Sequence, residues 1–114
     1  MVENAMTAQI RKRIADRGML DADNDAWIIA KRIGSLLKQK YGAEQVMIFG
    51  SLAKKYWTRY SDIDIAERGI PSGLFFKAYL DAEALAGIYT IDLIDLKDCA
   101  TDDISEIERE GVRV

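Results

Sequence analysis

The stretch Val46-Met47-Ile48-Phe49-Gly50-Ser51, followed after ten residues by Asp62 in the run Ser61-Asp62-Ile63-Asp64-Ile65, decides how this chain is read. Four apolar residues ending abruptly at glycine describe a buried strand that delivers its carboxyl end to a turn. Asp62-Ile63-Asp64-Ile65 alternates with a period of two, so both carboxylates project from one face and both isoleucines from the other. Adjacent carboxylates repel unless a cation or a proton lies between them, and hard oxygen ligands suit magnesium. The two segments together predict a phosphate-holding turn beside a metal-binding carboxylate pair. Either segment alone is commonplace, Gly-Ser as a turn and Asp-x-Asp as a solvated strand face. The weight rests on their combination.

Working outward, Ile88-Tyr89-Thr90-Ile91-Asp92-Leu93-Ile94-Asp95-Leu96 reads as a third strand with charges embedded in it. An ionised carboxylate inside an apolar strand is costly without a partner, and a metal shared with Asp62 and Asp64 would supply one to Asp92. Asp95 is the competing choice; three residues away, it falls on the opposite strand face, with Ile91 and Leu93. Three carboxylates, magnesium and a Gly-Ser turn suit attack by a hydroxyl on the α-phosphate of a nucleoside triphosphate. Two metal ions can stabilise the attacking and leaving oxygens while the third carboxylate draws off the proton. The Ser51 hydroxyl and the amides after Gly50 can hold the outer phosphates, and Lys54 or Lys55 can offset charge on pyrophosphate. Tyr56, Trp57 and Tyr60 are expected to pack a loop against the sheet, with base stacking as the alternative.

The remaining elements follow from capping and periodicity. A basic helix is expected from Ala5 to Arg17, with a stripe of Met6, Ile10 and Ile14 and an end at Gly18. A second helix begins after Asp21, Asp23, Asn24 and Asp25, keeps Ala26, Ile29, Ile33, Leu36, Leu37 and Tyr41 on one side, and ends at Gly42. Ser72 is expected to cap a helix from Leu74 to Ala86, and Thr101 one from Thr101 to Glu110, with an edge strand over 112–114. The sum is an α+β domain, a small mixed β-sheet covered by helices, over residues 21–114, preceded by a helical extension over 1–20.

Composition narrows the chemistry. The 114 residues are 49% apolar and 31% charged, the range of one soluble globular domain, too short for a separate substrate-binding domain. With no histidine and one cysteine, a histidine base, a Cys-His pair, the common zinc sites and an internal disulfide are excluded; Cys99 is expected to pack as a small apolar residue. A formal net charge of −3 argues against strong sequence-independent nucleic-acid binding. The absence of a membrane span or signal-peptide core leads to an expectation of cytoplasmic residence.

Phe49-Gly50-Ser51-Leu52-Ala53-Lys54-Lys55 and Tyr60-Ser61-Asp62-Ile63-Asp64-Ile65, with Ile91-Asp92-Leu93-Ile94-Asp95 and Ile107-Glu108-Arg109-Glu110-Gly111, resemble the minimal nucleotidyltransferases of the DNA polymerase β-like superfamily. The resemblance implies a polymerase β-like palm fold, with Asp62 and Asp64 binding magnesium, Asp92 as third carboxylate, and Gly50 and Ser51 holding the triphosphate of ATP. Many members continue the turn as Ala-Arg-Gly where this chain has Ala53-Lys54-Lys55, which keeps charge but loses a bidentate guanidinium and a glycine. Small stand-alone members resemble antitoxins paired with an all-helical HEPN toxin, onto whose tyrosine they move AMP from ATP. The resemblance therefore implies a hetero-oligomer in which the partner is also the acceptor. A non-catalytic module that neutralises its partner by binding is the alternative, and transfer to a small molecule such as an aminoglycoside is a third.

Overall fold

In the computed structural model the backbone is described from Ala5 to Val114 and side chains from Asp23 onward. Helix α1 (Ala5–Tyr41) is followed by β1 (Gln45–Phe49), the short α2 (Gly50–Lys54), β2 (Ile63–Arg68), α3 (Phe75–Ala86), β3 (Ile91–Asp95), α4 (Thr101–Glu110) and β4 (Val112–Arg113). Short 3-10 turns over Ser72–Leu74 and Leu96–Asp98 lead into α3 and out of β3.

The sheet order is β3-β2-β1-β4. β1 runs antiparallel to β2 and β4, while β2 and β3 are parallel, joined by a crossover through α3. The mixed α+β sheet expected from the sequence is therefore present, edge strand included.

Strand alternation divides the core. Val46, Ile48, Ile63, Ile65, Ile91 and Leu93 face α1 and α3, where they meet Ala30, Ile33, Leu37, Ala78 and Ala82. Alanines on α3 let the two helices approach closely, and Tyr41 of α1 donates its hydroxyl hydrogen bond to Asp81 of α3, which also receives Lys40 Nζ at 2.7 Å. The opposite sheet face carries Met47 and Ala66, which with Leu96 pack beneath Ile107 of α4. This second core is small, and part of that sheet face is left for the site.

Two features of the helices differ from expectation. α1 runs without a break through Gly18 and the acidic cluster, so Asp21, Asp23, Asn24 and Asp25 are interior helical residues and not caps. One interior glycine costs only about 1 kcal/mol against alanine, too little to end a helix that is favourable on both sides. The expected stripe of Met6, Ile10 and Ile14 lies outside the described side chains. Ser72 and Thr101 make no capping bond at α3 and α4; the flanking positions are Leu74 and Ala100, and Ser72 Oγ instead accepts from Lys97 Nζ at 2.5 Å. Gly42 does end α1, with φ +76°, and the Ala43 N–H returns to the Leu37 carbonyl at 3.0 Å.

Candidate active site

β1 ends at Phe49, and the chain turns at Gly50 with φ +66°, a left-handed conformation that glycine adopts without penalty. Phe49 is the antiparallel partner of Asp64, so the turn starts directly over that carboxylate. A Cβ on Gly50 would overlap Asp64 Oδ2 and lie 3.0 Å from its Cγ. The glycine is thus required twice, by its φ and by the side chain it touches. Ser51 and Leu52 continue into α2, with Leu52 buried and Ser51 partly exposed.

Asp64 and Asp92 are register partners across the parallel β2–β3 pair. Same-face geometry puts both on the side of Ala66 and Ile94, the α4 side. Asp62 lies one residue before β2, where Thr90 Oγ1 donates to its Oδ1 at 2.5 Å and the Ile63 N–H bonds the Thr90 carbonyl at 2.9 Å. Thr90 had no signal in the sequence; its role follows only from the pairing of the two strand entrances. Burial, then the charges of Asp92 and Asp62, push the Asp64 carboxyl up to about 6.

The fit to a cation rests on this donor set. Three carboxylates share one face, are charged neighbours, and pair with no basic side chain among the described residues; hard oxygen donors of this kind suit magnesium. Among the described residues no three acidic or cysteine side chains converge tightly enough to enclose an ion.

Asp92 and Asp95 lie on opposite faces of β3, as the strand alternation read from the sequence requires. Asp92 is exposed on the open face, whereas Asp95 is 6% exposed and lies on the core side with Ile91 and Leu93, as its parity requires. Asp95 Oδ1 accepts the Lys97 N–H at 3.0 Å and Oδ2 pairs with Lys97 Nζ at 3.1 Å. It is also the register partner of Glu67, a fully buried carboxyl that sequence patterning did not single out. Glu67 Oε2 accepts the Ile70 N–H at 3.0 Å and Oε1 has no partner, and burial with Asp95 nearby pushes its carboxyl up to about 7.

Lys54 spans to α4, where its Nζ pairs with Glu110 at 3.0 Å. Lys55 is exposed and is the only non-glycine residue with positive φ among those described, +70°, at the position where the resemblance expected glycine. Trp57 is buried and tilts against Tyr89 with ring centroids 5.6 Å apart, so it packs its loop; Tyr56 and Tyr60 remain exposed. Between α2 and α4 lies a groove of about 340 Å³, with Phe49, Ile94 and Ile107 among its apolar lining and Asp92 also bordering it.

A family model described as polymerase beta, nucleotidyltransferase, matches residues 31–114. The chain belongs to that family. The match takes in every strand and the whole of the Gly50–Asp64–Asp92 arrangement, so this nucleotidyltransferase carries the glycine turn and the carboxylates in one matched unit. Among curated proteins none matches the sequence.

Solved structures show the same fold. A chain of the toxin-antitoxin MntA-HpeT, in a doubly substituted form, superposes with a TM-score of 0.60 at 20% identity, covering 74% of the nucleotidyltransferase described here and 70% of the other chain. A toxin-antitoxin structure with AMP-PNP gives 0.60 at 21% identity, over 72% and 69% of the two chains. A further MntA-HpeT variant gives 0.57 at 22%, over 74% and 68%. Among the described residues no helix is long and apolar enough to cross a membrane.

Proposed function

We propose that this nucleotidyltransferase is an antitoxin that moves AMP from ATP to a tyrosine hydroxyl of an all-helical HEPN-type toxin partner, in a magnesium-dependent reaction. The observation that carries the reading is the contact of the Gly50 turn with Asp64, which is in register with Asp92. It sets the Gly50 turn against the carboxylates with no room for a side chain between them. The folds of the toxin-antitoxin chains, one of them in a structure with AMP-PNP, support the partner and the nucleotide.

In this reading the amides after Gly50 and the Ser51 hydroxyl hold the outer phosphates. Asp62, Asp64 and Asp92 would hold magnesium, two ions in the fullest form, whose chemistry is to neutralise charge on the phosphates and lower the pKa of the attacking hydroxyl. The acceptor oxygen attacks the α-phosphorus, an oxygen–phosphorus bond forms, the bond to the bridging oxygen breaks, and pyrophosphate leaves with the electron pair. Asp92, exposed on the open face, takes the hydroxyl proton. Thr90 fixes Asp62, and Lys54, if released from Glu110, or Lys55 offsets charge on pyrophosphate. The basic residues of the 1–20 extension are proposed to extend the surface facing the partner.

The test is transfer of label from α-phosphate-labelled ATP, with magnesium, to the protein encoded beside this gene. The native chain is expected to label the partner and Asp64→Asn to lose labelling by at least about a hundredfold while still binding it. A stable complex with no label from either chain would leave the non-catalytic binding module as the function.

A further inference from the structure

We infer that the groove between α2 and α4 docks the acceptor, and that it selects an aromatic hydroxyl flanked by lysine or arginine. The inference rests on the transferase reading above and adds the chemistry of the acceptor to it. Phe49, Ile94 and Ile107 give the groove an apolar floor; Gly50 and Lys54 line the end nearest the turn, and the remainder of its volume of about 340 Å³ suits one large side chain. One wall is acidic: Asp103, Glu106 and Glu110 follow one another on a single face of α4, with spacings of three and four. Asp92, the carboxylate proposed to take the hydroxyl proton, also lines the groove.

These charges discriminate between the two substrates. A triphosphate laid along Asp103 and Glu106 would meet like charge, whereas Gly50 and Lys54 at the other side of the same groove offer a turn and a cation, so the phosphates belong at that end. A cationic segment gains from the same wall. The apolar floor favours an aromatic over an aliphatic hydroxyl, because a phenol buries its ring and leaves its oxygen at the mouth beside Asp92. Glu110 is already paired with Lys54 at 3.0 Å. A basic residue of the acceptor that reaches Glu110 therefore frees Lys54 to turn toward the phosphates, which makes acceptor docking and phosphate neutralisation parts of one exchange.

The experiment compares two synthetic peptides, Lys-Arg-Tyr-Arg-Lys and Glu-Asp-Tyr-Asp-Glu, as acceptors of labelled AMP from magnesium ATP. Methyl NMR of Ile94 and Ile107 reads binding independently of turnover. The basic peptide is expected to be labelled preferentially and to shift both methyl signals. In the Asp103→Asn/Glu106→Gln variant its KM is expected to rise about fivefold, the worth of two exposed ion pairs, with the loss falling on the peptide and not on ATP. Transfer without discrimination, with no shift at Ile94 and Ile107, overturns the groove and leaves the transferase standing. Methyl shifts by the basic peptide without transfer uphold the groove and overturn the transferase. Neither shift nor transfer overturns both.

Discussion

At Gly50 the absence of one carbon atom decides whether Asp64 can keep its place. In Gly50→Ala the new methyl must displace the carboxylate and hold φ near +66°, a conformation that costs an alanine about 1–2 kcal/mol. The variant is expected to unfold at a slightly lower denaturant concentration yet to lose about a hundredfold in AMP transfer, since small misplacements of reacting groups are that expensive. Denaturant titration and labelling measured on the same preparation check both halves. Lys55 presents the converse case, a side chain in a left-handed position that glycine fills freely. Lys55→Gly is expected to raise stability by up to about 1 kcal/mol, with the midpoint of urea unfolding as the readout. Gly50, Asp62 and Asp64 were legible because motif spacing and strand alternation act locally. Thr90 and Glu67 were not, because each matters through a residue on another strand or loop.

At the scale of elements, α4 is both a lid on the smaller core and the wall of the groove. Its attachment rests on Ile107, 8% exposed, and on the partly buried Ile104, against Met47, Ala66 and Leu96. Ile107→Ala removes most of that anchor, and a loss of about 3 kcal/mol is expected by thermal or chemical unfolding, with hydrogen exchange accelerating first across 101–110. The C-terminal bounds of β1 and α4 were readable because a glycine follows each, Gly50 after β1 and Gly111 after α4. α1 was read as two helices because Gly18 and four polar capping residues mimic a boundary, whereas helix continuity depends on the sum over both flanks. The strand carrying Asp92 is shorter than its apolar run, Ile91–Asp95 and not Ile88–Leu96. Pairing with β2 begins only at Ile63, and Ile88 lies out in solvent.

For the molecule as a whole, pH acts most directly through Glu67. Its carboxyl titrates near 7 when folded and near 4.5 when unfolded, so between these values the folded chain holds a proton that the unfolded chain has released. Its contribution to stability is fully present below about pH 4.5 and is lost as pH rises through about 7. Glu67→Gln is expected to flatten that part of the profile, so the difference from native should change steadily between about pH 4.5 and 7 and level off above it in denaturant titrations. A variant whose slope matches the native chain would show that Glu67 is ionised throughout. The sheet class was legible from the count and order of elements, but the strand order β3-β2-β1-β4 was not, since no local pattern states which edges meet.

The two rungs Asp64–Asp92 and Glu67–Asp95 belong to one ladder and point to opposite faces. A slip of β3 by one residue would turn Asp92 into the α1–α3 core and expose Ile91 and Leu93, while Asp95 would lose the place in which Lys97 meets it. Parallel strands joined through a helix find their alignment late in folding, when such errors are hardest to undo. The paired acids thus work as a proofreading key, rejecting a misaligned sheet at two points before any nucleotide is met.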